Sequence, residues 1–200
     1  MSERRVIGVV LAGGASRRMG GMPKAKEAFG EGTLLTHAID RLGDQVDRVI
    51  VNGPTDLTDS VPRDVEVIPD PFTDRRGPLA GILAALAWCE REVPDATELV
   101  SAPVDTPFFP EDLTARLTAA RSPEGNALAR SGGRTHPTFG AWNIALREAL
   151  QSFLATSETN KVLAFTERHA CGFADFDDPS AFDNANTPED LGRVRERLRA

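Results

Sequence analysis

The chain has 200 residues, of which 40% are hydrophobic and 26% are charged, and its formal net charge is −7 at pH 7. This length suits one large domain with a well-buried core, and these fractions are typical of a soluble globular protein. The acidic balance disfavours nucleic acid as a partner, and no stretch of the sequence is long and apolar enough to predict a membrane span.

Strands and helices alternate over the first 120 residues. The unbroken apolar strands favour a parallel sheet that is covered on both faces, and the alternation predicts a three-layer α/β domain with a Rossmann-like, mostly parallel sheet. The predicted strands are 5–12, 48–52, 65–68 and 99–102, and the predicted helices are 33–43, 78–92 and one that begins at Pro110.

The pattern changes in the second half of the chain. Two strands at 126–130 and 134–142 flank a turn signal, so we expect an antiparallel strand and a lid on one side of the sheet. Helices are expected at 143–154 and 160–168, and a short strand at 172–176. The last helix follows Thr187 and Pro188, with Leu191, Val194 and Leu198 directed inward.

The two cysteines, Cys89 and Cys171, have neither the spacing of a metal site nor that of a disulfide framework. This use of cysteine fits a reducing compartment. The first five residues lead into a short strand, and no signal peptide is predicted. We therefore expect a cytoplasmic protein.

Polar segments follow four of the predicted strands. They are the glycine loop that begins at Gly13, and the residues Asn52, Asp70 and Asp105. In parallel α/β sheets the ligand binds at the carboxyl ends of the strands. The sequence therefore predicts that these segments meet at one edge of the sheet and line a site.

The glycine loop, residues 11–24, has the strongest functional signal. Its spacing matches neither a P-loop nor a dinucleotide-binding fingerprint. The backbone of Leu11, Ala12, Gly13 and Gly14 can approach a phosphate closely, because glycine leaves room. Arg18 can bind phosphate oxygens bidentately, and Lys24 supplies a point charge. An ordinary turn would explain the glycines but not Arg17, Arg18 and Lys24 in one loop.

Asp105 ends a strand just before Pro107. A carboxylate held at a strand end by rigid neighbours suits Mg²⁺, which takes one or two carboxylates together with phosphates and water. The alternative is that Asp105 only begins a turn, as Asp70 between two prolines also could.

The sequence resembles the molybdenum cofactor guanylyltransferase family, which belongs to the nucleotidyltransferases with a Rossmann-like fold. The resemblance spans most of the chain, and His-Pro-Thr and Asn-x-Asn-Thr-Pro are its most specific motifs. One departure is Pro23, which stands where the family usually has aspartate and leaves open whether Lys24 or Lys26 faces the phosphates. The matching segments are Leu11–Lys24, 51–52, 68–70, 77–81, 105–107, 136–138 and 184–189.

The resemblance implies a role for each matching residue. Arg18, Lys24 and Asp105 would be catalytic, with Mg²⁺ on Asp105. Asn184 and Asn186 would bind the acceptor, and so would His136. Residues 1–120 would then form the nucleotide-binding part, and 121–200 the acceptor-binding part, of a single domain over 1–200. The nucleotide would contact Leu11, Ala12, Gly13, Gly14, Lys24, Asn52, Asp70, Gly77 and Asp105.

The implied reaction transfers GMP from GTP to a molybdopterin-type cofactor and releases pyrophosphate, with Mg²⁺ and with possible partner proteins for cofactor delivery. Asp70 would read guanine, because a carboxylate can accept hydrogen bonds from the N1–H and amino groups of that base. Two alternatives remain at this point. One is a related transferase that uses CTP or another nucleotide, and the other is a non-catalytic module that binds GTP or the pterin.

Overall fold

The computed structural model describes residues 5–13, 23–74, 76–122 and 124–199. Two layers of helices enclose a central sheet, and a short hairpin lies beside it. The strands are β1 (Arg5–Leu11), β2 (Ala28–Phe29), β3 (Gly32–Thr33), β4 (Arg48–Asn52), β5 (Glu66–Ile68), β6 (Ala96–Pro103), β7 (Asn126–Ser131), β8 (Arg134–Asn143) and β9 (Cys171–Phe176).

The helices follow the predicted order. Thr33 caps the first helix through a reciprocal pair of hydrogen bonds with Thr36, and Pro78 occupies the first turn of the second. Short 3-10 turns occur at Lys24–Lys26, Thr55–Ser60, Ile144–Leu146 and Pro179–Phe182. The α-helices are α1 (Leu34–Gly43), α2 (Pro78–Glu92), α3 (Leu113–Ala120), α4 (Arg147–Thr156), α5 (Val162–Thr166) and α6 (Pro188–Arg199).

Seven strands form one sheet in the order β5-β4-β1-β6-β8-β7-β9, and β2 pairs with β3 in a separate hairpin. β8 runs antiparallel to both of its neighbours, whereas all other pairs in the sheet are parallel. The predicted fold, a mostly parallel sheet with an antiparallel strand in the second half, is confirmed.

The core lies on both faces of the sheet. Val10 faces one apolar cluster with Leu35 of α1 and Leu113 of α3, whereas Val9 faces the other with Leu83 of α2 and Phe165 of α5. Alternate residues of β1 thus point to opposite layers, which is why this strand is apolar without interruption.

Three local predictions need correction. Leu198 is 38% exposed, because α6 ends there at the surface. The helix predicted at 143–154 begins as a 3-10 turn and becomes α4 only at Arg147, because Asn143 accepts a hydrogen bond from Ala145. The helix expected from Pro110 begins at Leu113.

Both cysteines are free, as expected, and Cys89 is buried on α2, where burial raises the pKa of its thiol to about 12. Among the described residues, no helix is both long enough and apolar enough to cross a membrane.

Candidate active site

The carboxyl ends of β1, β4 and β6 lie level with one another. Leu11 is in register with Asn52 on one side and with Pro103 on the other. The Leu11 carbonyl accepts from Val104 N–H at 3.1 Å, and Ala12 N–H donates to the Asn52 carbonyl at 2.7 Å. Among the described residues, the hydrogen bonds between β1 and its neighbours therefore extend as far as Ala12, just before Gly13. The order of the strands reverses between β1 and β6, and in such folds this reversal creates a crevice.

One group of polar residues gathers on the β4–β5 side of this edge. Asn52 is 3% exposed, and its Nδ2 donates to Asp70 Oδ1 at 2.9 Å and to the Ile68 carbonyl at 3.3 Å. A Cβ on Gly13 would lie 3.5 Å from Asn52 Oδ1 and 3.7 Å from Asp70 Oδ2. We call Gly13, Asn52, Asp70 and Gly81 the Asp70 corner.

The two glycines at the start of α2 differ in what they provide. Gly77 has a φ of +67°, a left-handed conformation that side chains rarely adopt, and space for a Cβ beside it. Gly81 lies in the helix, and a Cβ there would stand 2.1 Å from Asn52 Oδ1. Gly77 therefore meets a backbone requirement, whereas Gly81 makes room for a side chain.

A second group gathers around Asp105, after β6. Lys24 Nζ lies 3.0 Å from Asp105 Oδ2 and also donates to Asn186 Oδ1. Thr106, which is fully buried, donates to Asn184 Oδ1 at 2.6 Å, and Ala185 N–H donates to the Asp105 carbonyl at 2.7 Å. These bonds hold 184–186 against the Asp105 loop. We call Lys24, Asp105, Thr106, Asn184 and Asn186 the Asp105 corner.

The structure distinguishes Lys24 from Lys26. Pro23 precedes the 3-10 turn that holds both lysines, and within that turn Lys24 points to Asp105, whereas Lys26 pairs with Asp56 at 3.3 Å. The proline therefore does not turn Lys24 away from the sheet edge. Of the two lysines, Lys24 is the one that joins the other predicted site residues.

His136 lies on β8 and contacts the segment before Asn184. Its ring stacks on Phe182 with centroids 4.3 Å apart, and its Nε2 lies 2.8 Å from Ser131 Oγ. Burial, helped by the charge of Arg134, lowers the pKa of His136. A neutral ring in this position ties the β7–β8 hairpin to the segment that leads into the Asp105 corner.

Several predicted residues fall outside the described ranges. They are Gly14, Arg17 and Arg18 in the glycine loop. Trp142 lies on β8. It is fully buried, and its Nε1 donates to Ser101 Oγ at 3.0 Å, so it belongs to the core.

Sequence reasoning did not single out three residues that support these corners. Thr106 was noted only as part of a motif, although its buried hydroxyl anchors Asn184. His37 of α1 has its Nε2 2.9 Å from the Pro107 carbonyl, behind Asp105. Phe182 supports His136. Of these three residues, only Thr106 had a signal in the sequence, namely its position next to Asp105 at the end of a predicted strand.

A cleft of about 580 Å³ lies elsewhere, at the amino ends of β4 and β5. Its walls include Asp40, Arg48 and Val65, and none of the residues of the two corners. Because ligands of such sheets bind at the opposite edge, we do not place the site in this cleft.

Asp105 offers a carboxylate to a divalent cation at this edge of the sheet. Within the described ranges, no three His, Cys, Asp or Glu side chains cluster as a metal cage would require. The Asp105 carboxylate is partly exposed and already holds one cation, the ammonium of Lys24. A single carboxylate fits Mg²⁺ that takes its other ligands from water and phosphates, and it does not fit a closed structural metal site.

Comparison with known proteins assigns the chain to a family. The model of the MobA-like NTP transferase domain matches residues 8–171. The molybdenum cofactor guanylyltransferase of Cereibacter sphaeroides is 43% identical over 196 residues, which cover 98% of each chain. This chain belongs to the molybdenum cofactor guanylyltransferase family. The corresponding protein of Bradyrhizobium sp. is 43% identical over 98% of this chain and 93% of its own.

Membership of the molybdenum cofactor guanylyltransferase family makes this chain a nucleotidyltransferase, and the predicted resemblance is confirmed. Molybdopterin-guanine dinucleotide biosynthesis protein A of Archaeoglobus fulgidus has a similar structure, with a TM-score of 0.74, 22% identity and coverage of 97% of this chain and 98% of that one. A 4-diphosphocytidyl-2C-methyl-D-erythritol synthase of Anaerococcus prevotii reaches 0.73 at 12% identity, with coverage of 98% and 97%. The fold alone therefore does not determine the base.

Proposed function

We propose that this nucleotidyltransferase transfers GMP from GTP to a molybdopterin-type cofactor and releases pyrophosphate, with Mg²⁺ bound at Asp105. The proposal is supported by the placement of the two corners at the carboxyl edge of one sheet, one on the β4 side of β1 and the other after β6 on the opposite side. One corner offers a carboxylate for a base, and the other offers an ammonium for phosphates and a carboxylate for Mg²⁺.

The base would bind at the Asp70 corner. Among the residues that the structure describes, no lysine or arginine pairs with Asp70, and its only side-chain partner is the amide of Asn52. An ionised carboxylate accepts hydrogen bonds and donates none. It therefore favours a base edge that presents two adjacent donors, as the N1–H and amino groups of guanine do.

The phosphates would bind between the glycine loop and the Asp105 corner. Lys24, with the backbone of Leu11, Ala12 and Gly13, would hold the triphosphate, and Gly77 would border the nucleotide at the start of α2. Gly14 and Arg18, which lie outside the described residues, would complete the phosphate contacts. Mg²⁺ on Asp105 would supply charge neutralisation for the phosphate oxygens.

The reaction requires no general base. A phosphate oxygen of the acceptor, already ionised near neutral pH, attacks the α-phosphorus of GTP, and the bond from that phosphorus to the β-phosphate oxygen breaks. Pyrophosphate leaves with the negative charge, which Lys24 and Arg18 would stabilise. Catalysis by this chain would consist of positioning and charge compensation.

The acceptor would bind on the side of Asn184 and Asn186. Both side chains are exposed, and both amide oxygens accept hydrogen bonds from this chain, one from Thr106 and one from Lys24. Their Nδ2 groups would then be available as donors to the acceptor phosphate. His136 would support this side through Phe182. Proteins that deliver or receive the cofactor would meet the enzyme here.

The proposal is tested with a panel of nucleotides. The increase in Tm on adding GTP, CTP, ATP or UTP with Mg²⁺ is measured first, and pyrophosphate release with molybdopterin cofactor second. GTP should give the largest increase and should support release. A larger effect of CTP would replace the guanine assignment, and tight GTP binding without release would indicate a non-catalytic binding module.

A further inference from the structure

Asn52 connects the buried end of β4 to the exposed carboxylate of Asp70. Its side chain is almost completely buried, and its Nδ2 donates to Asp70 Oδ1 at 2.9 Å and to the Ile68 carbonyl at 3.3 Å. The amide is thus fixed by β5 and in turn restrains the carboxylate. Rotation of the Asp70 carboxylate would break the bond to Asn52.

Gly81 provides the space that Asn52 occupies. A Cβ at position 81 would lie 2.1 Å from Asn52 Oδ1, 2.7 Å from Asn52 Cγ and 3.0 Å from Leu11 Cδ2. A carbon cannot approach an oxygen to 2.1 Å without a covalent bond, so any side chain at position 81 would displace the amide. The backbone of Gly81 is helical, and glycine is unfavourable inside a helix. Backbone conformation therefore does not explain this glycine, whereas the position of Asn52 does.

The orientation of the Asp70 carboxylate matters for the choice of base. Guanine presents two neighbouring donors, N1–H and the 2-amino group, which a carboxylate can accept with both oxygens in one plane. Adenine and cytosine each present one donor beside an acceptor, which a carboxylate repels. To accept both hydrogen bonds of guanine, the Asp70 carboxylate must lie in the plane of the base. A single hydrogen bond can still form when the carboxylate rotates out of that plane.

We infer that Asn52 and Gly81 are positioning residues for base selection, with Gly81 admitting the Asn52 amide and Asn52 fixing the plane in which Asp70 accepts both donors of guanine. This inference rests on the proposed function. It also changes the predicted role of Asn52, which acts on the base through Asp70. Gly81 acts one step further away, through Asn52.

The inference is tested with a double-mutant cycle of Gly81→Ala, Asn52→Ala and the pair. KM and kcat are measured for GTP and for ITP, which lacks the 2-amino group and presents one donor. The wild-type enzyme should prefer GTP over ITP by about tenfold or more, the range for one hydrogen bond to a charged group. Each single variant should raise KM for GTP about tenfold and bring the GTP-to-ITP ratio close to one, with a smaller change in kcat.

The double variant decides whether Gly81 acts through Asn52. If it does, the double variant should be no worse than Asn52→Ala alone, because the amide that the Cβ would displace is gone. The Cβ then still lies 3.0 Å from Leu11 Cδ2, which is the end of a flexible side chain. Additive losses would overturn the role of Gly81. An Asn52→Ala enzyme with an unchanged GTP-to-ITP ratio would overturn the inference as a whole, even if Gly81→Ala did not fold.

Two further measurements separate the possible failures. Gly192→Ala is the matched control, because Gly192 also lies inside a helix and a Cβ there would meet no atom within 4 Å. This variant should retain both KM values and should raise Tm slightly, because alanine favours a helix over glycine. If the wild-type enzyme uses another nucleotide better than GTP, the guanine part of the proposed function fails. The coupling between Gly81 and Asn52 can still be measured with that nucleotide.

Discussion

The Asp70 corner and the Asp105 corner each place one aspartate at the end of a strand, but the two carboxylates have different partners. Asp70 is exposed and is held by the neutral amide of Asn52. Asp105 has a side chain that is 23% exposed and is held by the ammonium of Lys24, whose side chain is 14% exposed. Within the described ranges no cation pairs with the Asp70 carboxylate, whereas the charge of the Asp105 carboxylate is compensated by Lys24.

This difference separates selection from turnover. At the Asp70 corner the donor to the carboxylate is buried and fixed, so the corner is formed before a ligand binds. At the Asp105 corner a cation must leave the carboxylate, or share it, when a metal ion binds. Changes at the first corner should therefore alter which nucleotide is used, and changes at the second should alter how fast it reacts.

The largest expected effect is that of Asp105→Ala. We expect a loss of about 10³-fold in kcat, because a lost metal ligand removes several kcal/mol of stabilisation from the transition state. Pyrophosphate release measures the loss, and circular dichroism together with Tm checks the fold. A folded Asp105→Ala enzyme with near-normal turnover would contradict the idea that the Asp105 corner sets the rate of the reaction.

Lys24→Ala should lower kcat/KM by about 10²-fold, because it removes a fixed positive charge from the departing pyrophosphate. The matched control is Lys26→Ala in the same 3-10 turn, whose partner Asp56 is exposed. Loss of such a surface pair should change activity by about twofold at most. Equal losses in the two variants would contradict the assignment of the phosphate contact to Lys24.

Lys24→Met sharpens the same comparison through binding. Without nucleotide, this variant should bind Mn²⁺ more tightly than the wild-type enzyme, because no ammonium competes for Asp105. With nucleotide, it should bind GTP less tightly. Calorimetry measures both affinities, and a decrease in the affinity for free Mn²⁺ would contradict the idea that Lys24 occupies the position of a metal ion.

Thr106→Val tests the anchoring of the acceptor segment. The substitution keeps the shape of a buried side chain and removes the hydroxyl that donates to Asn184. A lost hydrogen bond of about 1 kcal/mol predicts a roughly fivefold higher KM for the acceptor. KM for GTP should stay the same. An equal change in both KM values would indicate a general disturbance of the edge.

The smallest expected effect concerns His37, which supports the loop after Asp105 from behind. The pKa of His37 is lowered, mainly because the ring is buried, and the charge of Arg41 lowers it further. The hydrogen bond to the Pro107 carbonyl and the charge of Asp40 act in the opposite direction. The rings of Phe29 and Phe108 pack against it. Below the unfolded-state pKa of about 6.5 the unfolded chain binds more protons, so stability should fall as pH decreases.

His37→Gln should make stability fall less steeply as pH decreases, because glutamine does not titrate in this range. Urea unfolding between pH 7 and pH 5 measures the slope for each protein. The same slope in both proteins would show that His37 does not contribute to the pH dependence of the free energy of unfolding.

The sequence predicted those parts of the molecule that depend on local pattern. The unbroken run of β1 and the cap at Thr33 gave an element order and bounds close to those observed, because burial and capping leave periodic signals. The prediction that Leu198 is directed inward was wrong, because the apolar periodicity of α6 continues past the point where the helix reaches the surface. The antiparallel strand was expected, but its place between β6 and β7 is a tertiary property without a local signal.

The site residues show the same limit. Asn52, Asp70 and Asp105 were expected at one edge, because strand ends meet there, and the structure places them so. That Lys24 contacts Asp105, and that Gly81 admits Asn52, are contacts between residues 81 and 29 positions apart. Spacing in the sequence cannot predict such contacts, because they depend on how helices and turns pack on the sheet.

The most direct test of the central claim is a competition between nucleotides in one reaction. Equal concentrations of GTP and CTP are incubated with the wild-type enzyme, Mg²⁺ and molybdopterin cofactor. The dinucleotide products are then separated, and mass spectrometry identifies and quantifies them. The account predicts the guanine dinucleotide in large excess, together with an equal amount of pyrophosphate. A cytosine dinucleotide as the main product, or no dinucleotide of either kind, would contradict it.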